Sequence, residues 1–214
     1  MSEAKEEEQK DSADDLVSMI SMAMEKPEDM RTMAVYGDIN EERCMEAVYA
    51  LLSLDNTAKS LVLADPEDPE SDAVEVTEPI SFFISTHGGQ ATEMFAVYDT
   101  MRMIKDNTPI HTYGIGKVMS AGVLLLAAGT KGERRIGRNC RVMIHGVIAG
   151  QHGHIADIEN EFSETKLTQT MYIKALALET DMTQKYIKKL VDKKTNVYLD
   201  AEEAVNLGIA DIII

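Results

Sequence analysis

Between residues 80 and 145 the chain alternates short apolar runs with longer segments whose apolar residues recur at helical spacing. The runs Ile80–Ile84, Pro109–Ile115 and Arg141–Ile144 predict strands. The segments Thr92–Lys105 and Ala121–Ala128 predict the intervening helices. Strands that alternate with helices in this way indicate a parallel sheet with right-handed crossovers, and therefore an α/β fold.

The same pattern continues on both sides of this central region. Asn40 is a candidate N-cap, and Asp200 opens a capping box before a helix that Gly208 ends. The remaining predicted elements are a strand at Met33–Tyr36, a helix from Asn40 to about Leu54, helices at Ile155–Glu179 and Thr183–Lys193, and a last strand at Ala210–Ile214.

Two acidic segments interrupt the pattern. Residues 1–32 are predicted to be an acidic tail with a short helix, partly disordered, ahead of one domain over residues 33–214. Within that domain we expect an acidic insertion at about residues 58–79. Residues 65–78 carry seven acidic residues, two prolines and no Lys or Arg, which predicts a surface loop.

Composition excludes several classes of protein. A net charge of -16 argues against a nucleic-acid partner, and no apolar run is long enough to cross a membrane. The acidic N-terminus lacks the features of a signal peptide, and Cys44 and Cys140 are two isolated thiols. We therefore expect a cytoplasmic protein without a disulfide framework.

Polar residues follow three of the predicted strands. Gly88 and Gly89 come after the strand at Ile80, Ser120 after the strand at Pro109, and His145 directly after Ile144. In parallel sheets, functional groups gather at the carboxyl ends of the strands. Ser120 is then either a helix N-cap or a nucleophile on a sharp turn, and a nearby His145 favours the second interpretation.

Four ordered motifs give the chain a resemblance to a known family. They are His87-Gly88-Gly89 with Tyr98-Asp-Thr-Met101, then Met119-Ser120-Ala-Gly122 with Leu125-Leu-Ala-Ala-Gly129, then Asn139-Cys-Arg-Val-Met-Ile-His145, and last Tyr198-Leu-Asp-Ala-Glu-Glu-Ala204 with Leu207-Gly208. In these motifs the chain resembles the Clp protease proteolytic subunit, the ClpP family of serine peptidases. The likeness covers about residues 33–214 and is broken by the acidic insertion.

The resemblance implies a crotonase-like α/β fold of repeated β-β-α units with a protruding handle, formed by a strand and a long helix. It implies that Ser120 is the nucleophile and His145 the general base. The N–H groups of Gly88 and Ala121 would form the oxyanion hole. Residues 149–153 would be a substrate-aligning strand, and the expected substrate-binding residues are Gly89, Ala149, Gly150 and Gln151.

The third member of the triad is where the sequence departs most from the family. Asn196 stands at the position of the catalytic Asp, and Asp192 is the runner-up on chemical grounds. Other departures are His87 in place of Pro, Thr195 in place of Arg, and Ser81 at an aromatic position of the groove that docks the unfoldase.

The resemblance also implies partners. It predicts a homo-oligomer of heptameric rings, stacked in pairs as a tetradecamer, that encloses a chamber for unfolded polypeptides. A AAA+ unfoldase is a possible partner, and no cofactor is expected.

Two other functions remain open at this point. One is a ClpP-like subunit that keeps the fold but is catalytically weak or inactive, and the other is a crotonase-type acyl-CoA enzyme. A metal site at His152, His154 and Asp157 is geometrically possible because alternate residues of a strand share a face. No further ligand cluster supports it, so we expect no metal.

Overall fold

A mostly parallel sheet of seven strands forms the centre of the unit that spans Arg31–Ile214. The computed structural model describes residues 30–65, 68, 71–193 and 195–214. An acidic tail and a short helix are predicted for residues 1–32, and positions 1–29 of that range lie outside the described residues. The strands are β1 (Thr32–Ile39), β2 (Lys59–Leu63), β3 (Ala73–Thr77), β4 (Ile80–Gly89), β5 (Ile110–Met119), β6 (Arg135–Ile136), β7 (Arg141–Ile144), β8 (Val197–Leu199) and β9 (Ile212–Ile213).

The order of the strands places the predicted site at one edge of the sheet. The sheet runs β1-β4-β5-β6-β9, and β7 pairs with β5. The pairs β1–β4, β4–β5 and β5–β7 are all parallel, whereas β8 is antiparallel to β7. The carboxyl ends of β4, β5 and β7 therefore lie together, as the alternating pattern predicts.

The helices that cover the sheet follow the apolar spacing of the sequence. They are α1 (Glu41–Asn56), α2 (Ala91–Ile104), α3 (Ala121–Ala127), α4 (Ile155–Glu179), α5 (Gln184–Val191) and α6 (Ala201–Asn206). The predicted apolar stripe of α2 is confirmed, because its members are buried: Met94, Val97, Tyr98, Met101 and Ile104. Every residue of α3 is buried, as expected of a helix that is apolar on all sides.

A buried carboxylate ties the end of α4 to α2. Glu179 is 1% exposed and accepts hydrogen bonds from the Tyr98 hydroxyl at 3.0 Å and from Arg102 at 2.9 Å. Lys105 donates to its second oxygen at 3.1 Å. A buried charge is tolerated when it is paired and hydrogen-bonded in this way, so this group fixes the position of α4 on the core.

The prediction of a loop over residues 65–78 is wrong at its C-terminal end. Residues 73–77 form β3, which pairs antiparallel with β2 in a separate two-stranded sheet. The β-branched residues Val74 and Val76 favour a strand, and Lys59 pairs with Glu75 across the two strands at 2.8 Å. Most of both strands is exposed, so the insertion adds a surface hairpin and does not extend the core.

The long helix of the expected handle is confirmed, but its strand is not formed within the chain. Helix α4 has the predicted bounds, Ile155–Glu179, and residues 155–164 are all exposed, so its first turns project from the core. No strand is assigned over residues 149–153, which the structure describes completely. That segment is exposed and pairs with none of the strands in the described residues.

Candidate active site

Ser120 and His145 are brought together by the register of two neighbouring strands. Met119 in β5 faces Met143 in β7, and the Ser120 N–H donates to the Met143 carbonyl at 2.7 Å. The residues that follow the two strand ends therefore meet at the same edge of the sheet. His145 Nε2 lies 2.8 Å from Ser120 Oγ, which is hydrogen-bond distance.

The backbone at Ser120 has the geometry of a sharp, strained turn. Its φ of 54° and ψ of -120° make it the one non-glycine residue with positive φ in the described part of the chain. Such conformations cost about 1–3 kcal/mol and persist where the surrounding structure imposes them. Ser120 occupies the N-cap position of α3, but its side chain makes no capping hydrogen bond, so the interpretation that its hydroxyl caps the helix is wrong.

Gly88 is a glycine because Ser120 approaches it closely. A Cβ at Gly88 would lie 2.5 Å from Ser120 Cβ and 2.9 Å from Ser120 Oγ, and the φ of Gly88 is 99°. Both the space and the backbone conformation therefore exclude a side chain at this position. The glycine pair was identified from the sequence, and this contact gives the physical reason for its first member.

Burial favours the neutral form of the His145 imidazole. Its ring is half-buried, and desolvation lowers the pKa of the imidazole below its ordinary value. For Nε2 to accept the proton of Ser120 Oγ, the ring must carry its own proton on Nδ1. Within the part of the chain that the structure describes, no hydrogen-bond acceptor contacts Nδ1.

The two candidates for a third triad member differ in their surroundings. Asn196 lines a cavity of about 710 Å³ together with His145, and its Nδ2 lies 3.5 Å from the Tyr198 hydroxyl. Asp192 lines the same cavity but pairs with Lys188 at 2.7 Å on the surface. No hydrogen bond joins either side chain to His145 in the described structure.

The expected oxyanion-hole residues border the main cavity at the site. This cavity has a volume of about 720 Å³, and its lining includes Gly88, Ser120, Ala121 and His145. Ala121 is the first residue of α3, where backbone N–H groups have no partner inside the helix. The Gly88 N–H donates to the Thr86 hydroxyl oxygen at 2.9 Å.

The expected substrate-binding residues are split between two cavities. Gly89 borders the main cavity, but a Cβ there would lie 2.0 Å from the Ile39 carbonyl oxygen, so packing against β1 already requires a glycine. Ala149 borders the second cavity. Gly150 and Gln151 are exposed and border neither cavity.

Two side chains hydrogen-bond to backbone groups of the site but could not be identified from the sequence. Tyr172 of α4 is 6% exposed, borders the main cavity and donates its hydroxyl to the Ser120 carbonyl oxygen at 3.3 Å. Gln169, one turn earlier, accepts from the Val147 N–H at 3.1 Å and holds the segment after His145. In the sequence, the spacing of Gln169 and Tyr172 indicates that they share a face of α4, but it does not indicate that this face lies against the site.

Neither a metal centre nor a membrane span is found in the described structure. Among the described residues, no group of three or more His, Cys, Asp and Glu side chains could hold a metal ion, so the candidate at His152, His154 and Asp157 has no such cluster. Of the helices in this part of the chain, none has both the length and the apolar character that crossing a membrane requires.

The fold and the site together define an α/β protein with a serine–histidine pair on a strained turn, the arrangement found in serine hydrolases. A model of the Clp protease family matches residues 18–214, and the chain belongs to that family. It is 34% identical over 154 residues to the ATP-dependent Clp protease proteolytic subunit of Deinococcus radiodurans, an alignment that covers 72% of this chain and 70% of the relative.

Family membership makes the protein a serine peptidase of the ClpP type and supports the expected ClpP-like α/β fold. It favours a peptidase over the alternative of an acyl-CoA enzyme. It also implies oligomeric rings that work with Clp ATPases.

Proposed function

We propose that the protein hydrolyses peptide bonds of unfolded polypeptides with Ser120 as nucleophile and His145 as general base. The observation that carries the proposal is the 2.8 Å contact between Ser120 Oγ and His145 Nε2 at a turn whose strained backbone presents the serine to the main cavity. The lowered pKa of His145 supports the role of base, because burial favours the neutral imidazole, the form that can accept a proton.

The reaction proceeds in two halves. His145 Nε2 takes the proton of Ser120 Oγ as that oxygen attacks the substrate carbonyl carbon, and the carbonyl oxygen becomes an oxyanion. The oxyanion accepts hydrogen bonds from the N–H groups of Gly88 and Ala121. The imidazolium then protonates the leaving amine, and water, deprotonated in its turn by His145, hydrolyses the acyl-enzyme.

The hydrogen bond from Gly88 to Thr86 has a consequence for this oxyanion hole. The Gly88 N–H already has an acceptor, the Thr86 hydroxyl oxygen at 2.9 Å. A developing oxyanion is a stronger acceptor than a hydroxyl oxygen, because charge-assisted hydrogen bonds are about twice as strong as neutral ones. The substrate oxygen therefore takes over or shares this donor as negative charge develops on it.

Asn196 completes the triad in this proposal. Its amide nitrogen faces the Tyr198 hydroxyl, which leaves the amide oxygen as an acceptor for His145 Nδ1–H once the two side chains come within hydrogen-bond distance in the shared cavity. An amide oxygen holds the imidazole tautomer but does not stabilise the imidazolium by charge. We therefore expect a slow peptidase, with Asp192 engaged by Lys188 and outside the mechanism.

The assembly that we propose is a pair of stacked heptameric rings around a closed chamber, with a AAA+ unfoldase as a possible partner. Exposed apolar side chains on the projecting part of α4 support ring stacking: Ile155 is 77% exposed and Phe162 55% exposed. These two residues are seven apart and share a face of α4, and apolar side chains exposed together on one face favour contact with another chain.

Hydrolysis of a short fluorogenic peptide by purified protein tests the function. Ser120→Ala is expected to reduce hydrolysis by several powers of ten while the melting temperature and the mass of the assembly stay unchanged. Ser163→Ala, which removes an exposed serine hydroxyl on α4, is the matched control and is expected to retain full activity. A folded Ser120→Ala protein with full activity would refute the assignment of the nucleophile.

A further inference from the structure

Tyr172 contacts the nucleophile through the backbone of Ser120. Its hydroxyl donates to the Ser120 carbonyl oxygen at 3.3 Å, and the ring is buried between α4 and the site. The same carbonyl also accepts from the Val123 N–H at 3.0 Å. The strained Ser120 therefore has hydrogen bonds on both sides: its N–H donates to β7, and its carbonyl accepts from α3 and from α4.

The carbonyl that Tyr172 contacts belongs to the peptide unit whose N–H is that of Ala121. A peptide unit is planar and trans, so its C=O and N–H point in opposite directions. A hydroxyl that fixes the Ser120 carbonyl therefore also fixes the direction in which the Ala121 N–H points. Ala121, which carries that N–H, lines the main cavity together with Ser120.

Hydrogen bonds at the two ends of one peptide unit reinforce each other. An acceptor at the Ala121 N–H draws electron density away from the nitrogen, and a donor at the Ser120 carbonyl supports the same polarisation. As an oxyanion forms, the carbonyl becomes a better acceptor for Tyr172. A separation of 3.3 Å is long for a hydroxyl donor, and catalytic hydrogen bonds commonly shorten in the transition state.

We propose that Tyr172 is a positioning residue for the oxyanion hole, acting through the Ser120–Ala121 peptide unit and stabilising the transition state more than the bound substrate. The inference rests on the proposed function, because it requires Ser120 to be the nucleophile. Burial raises the pKa of the Tyr172 hydroxyl, so this group remains a neutral donor throughout the working pH range of a peptidase.

The test is Tyr172→Phe, which removes the hydroxyl and keeps the ring. We expect kcat for a fluorogenic peptide to fall about three- to tenfold, the effect of one neutral hydrogen bond, with KM unchanged. A peptide boronate, which forms a tetrahedral adduct on the serine, is expected to lose affinity by the same factor. Binding of the product peptide is expected to stay the same.

Tyr98→Phe is the matched control. It removes another buried tyrosine hydroxyl, which donates to Glu179 at 3.0 Å away from the site. It is expected to lower the melting temperature without changing kcat or boronate affinity. A second variant carries p-aminophenylalanine at position 172, which keeps a donor on the ring, and it is expected to regain part of the lost kcat.

The outcomes separate this inference from the proposed function. If the unsubstituted protein shows no Ser120-dependent hydrolysis, the proposed function fails and the inference fails with it. If hydrolysis depends on Ser120 but Tyr172→Phe leaves kcat and boronate affinity unchanged, only the inference is refuted. A rise in KM with constant kcat would also refute it, because the hydroxyl would then act in substrate binding.

Discussion

Replacement of Asn196 by Asp is the most informative change at the site. It puts a carboxylate at the position that we propose for the third triad member and alters the side chain by little more than its charge. Asn196 and His145 border the same cavity, and no acidic side chain contacts the imidazole in the described structure. The carboxylate would therefore supply the stabilisation of the imidazolium that the present site lacks.

The size of the effect follows from the exposure of position 196. An opposite charge within about 4–6 Å raises a histidine pKa by roughly 1–3 units, and each unit corresponds to about a tenfold change in an equilibrium. Because Asn196 is exposed, solvent screens the new charge and places the shift at the lower end. We expect kcat to rise about tenfold.

The pH profile gives an independent check with a defined sign. The base must be neutral, so kcat/KM falls on the acid side as His145 becomes protonated. Burial lowers the pKa of His145, which puts this fall below about pH 6.5 in the unsubstituted protein. In Asn196→Asp the fall is expected to begin about one pH unit higher, because the carboxylate favours the protonated ring.

The assay is hydrolysis of a fluorogenic peptide between pH 5 and pH 9, with the assembly mass measured for each variant. Asn196→Ala is expected to lower kcat, and Asp192→Asn to leave it unchanged because Asp192 pairs with Lys188. The reasoning is refuted if Asn196→Asp lowers kcat and leaves the acid limb in place. It is also refuted if Asp192→Asn abolishes hydrolysis while Asn196→Ala has no effect.

Two further predictions concern the site and the assembly. Gly88→Ala is expected to reduce kcat by about 10² or more, the effect of losing an oxyanion donor, because the new Cβ would lie 2.5 Å from Ser120 Cβ. Near-normal kcat in a folded variant would show that the close approach is not needed. Phe162→Glu places a charge on an exposed apolar position of α4 and is expected to halve the assembly mass in analytical ultracentrifugation. The conservative Phe162→Leu is expected to keep the mass of the unsubstituted protein. An unchanged mass in Phe162→Glu would argue against stacking through α4.

Much of the fold could be predicted because its elements have strong periodicity. The apolar stripe of α2, the bounds of α4 and the strand before His145 all follow from local spacing. These features depend on short stretches of sequence and therefore do not require tertiary information. Strand polarity predicts that Gly88, Ser120 and His145 lie at the same side of the sheet, since parallel strands present their carboxyl ends together. The contact between Ser120 and His145 depends in addition on the register of β5 and β7, which is a tertiary feature.

The features that the sequence did not predict depend on contacts between distant segments. Sequence predicts a loop at β3 because the surrounding acidic residues obscure the alternating valines of the strand that pairs with β2. The positive φ of Ser120 is imposed by neighbours, and the Tyr172 hydroxyl reaches a carbonyl 52 residues away in sequence. Local spacing also does not define how far Asn196 and Asp192 lie from His145 Nδ1, because this depends on where the chain near Asn196 lies in three dimensions.

Covalent labelling with a fluorophosphonate tests the central claim most directly, since it reports the activated serine without requiring turnover. The account predicts that the label is found on the peptide that contains Ser120, identified by mass spectrometry. It predicts no labelling of Ser120→Ala and labelling of His145→Ala that is slower by at least about 10²-fold, because the serine loses its base. Labelling of another residue, or an equal rate in His145→Ala, would contradict the account.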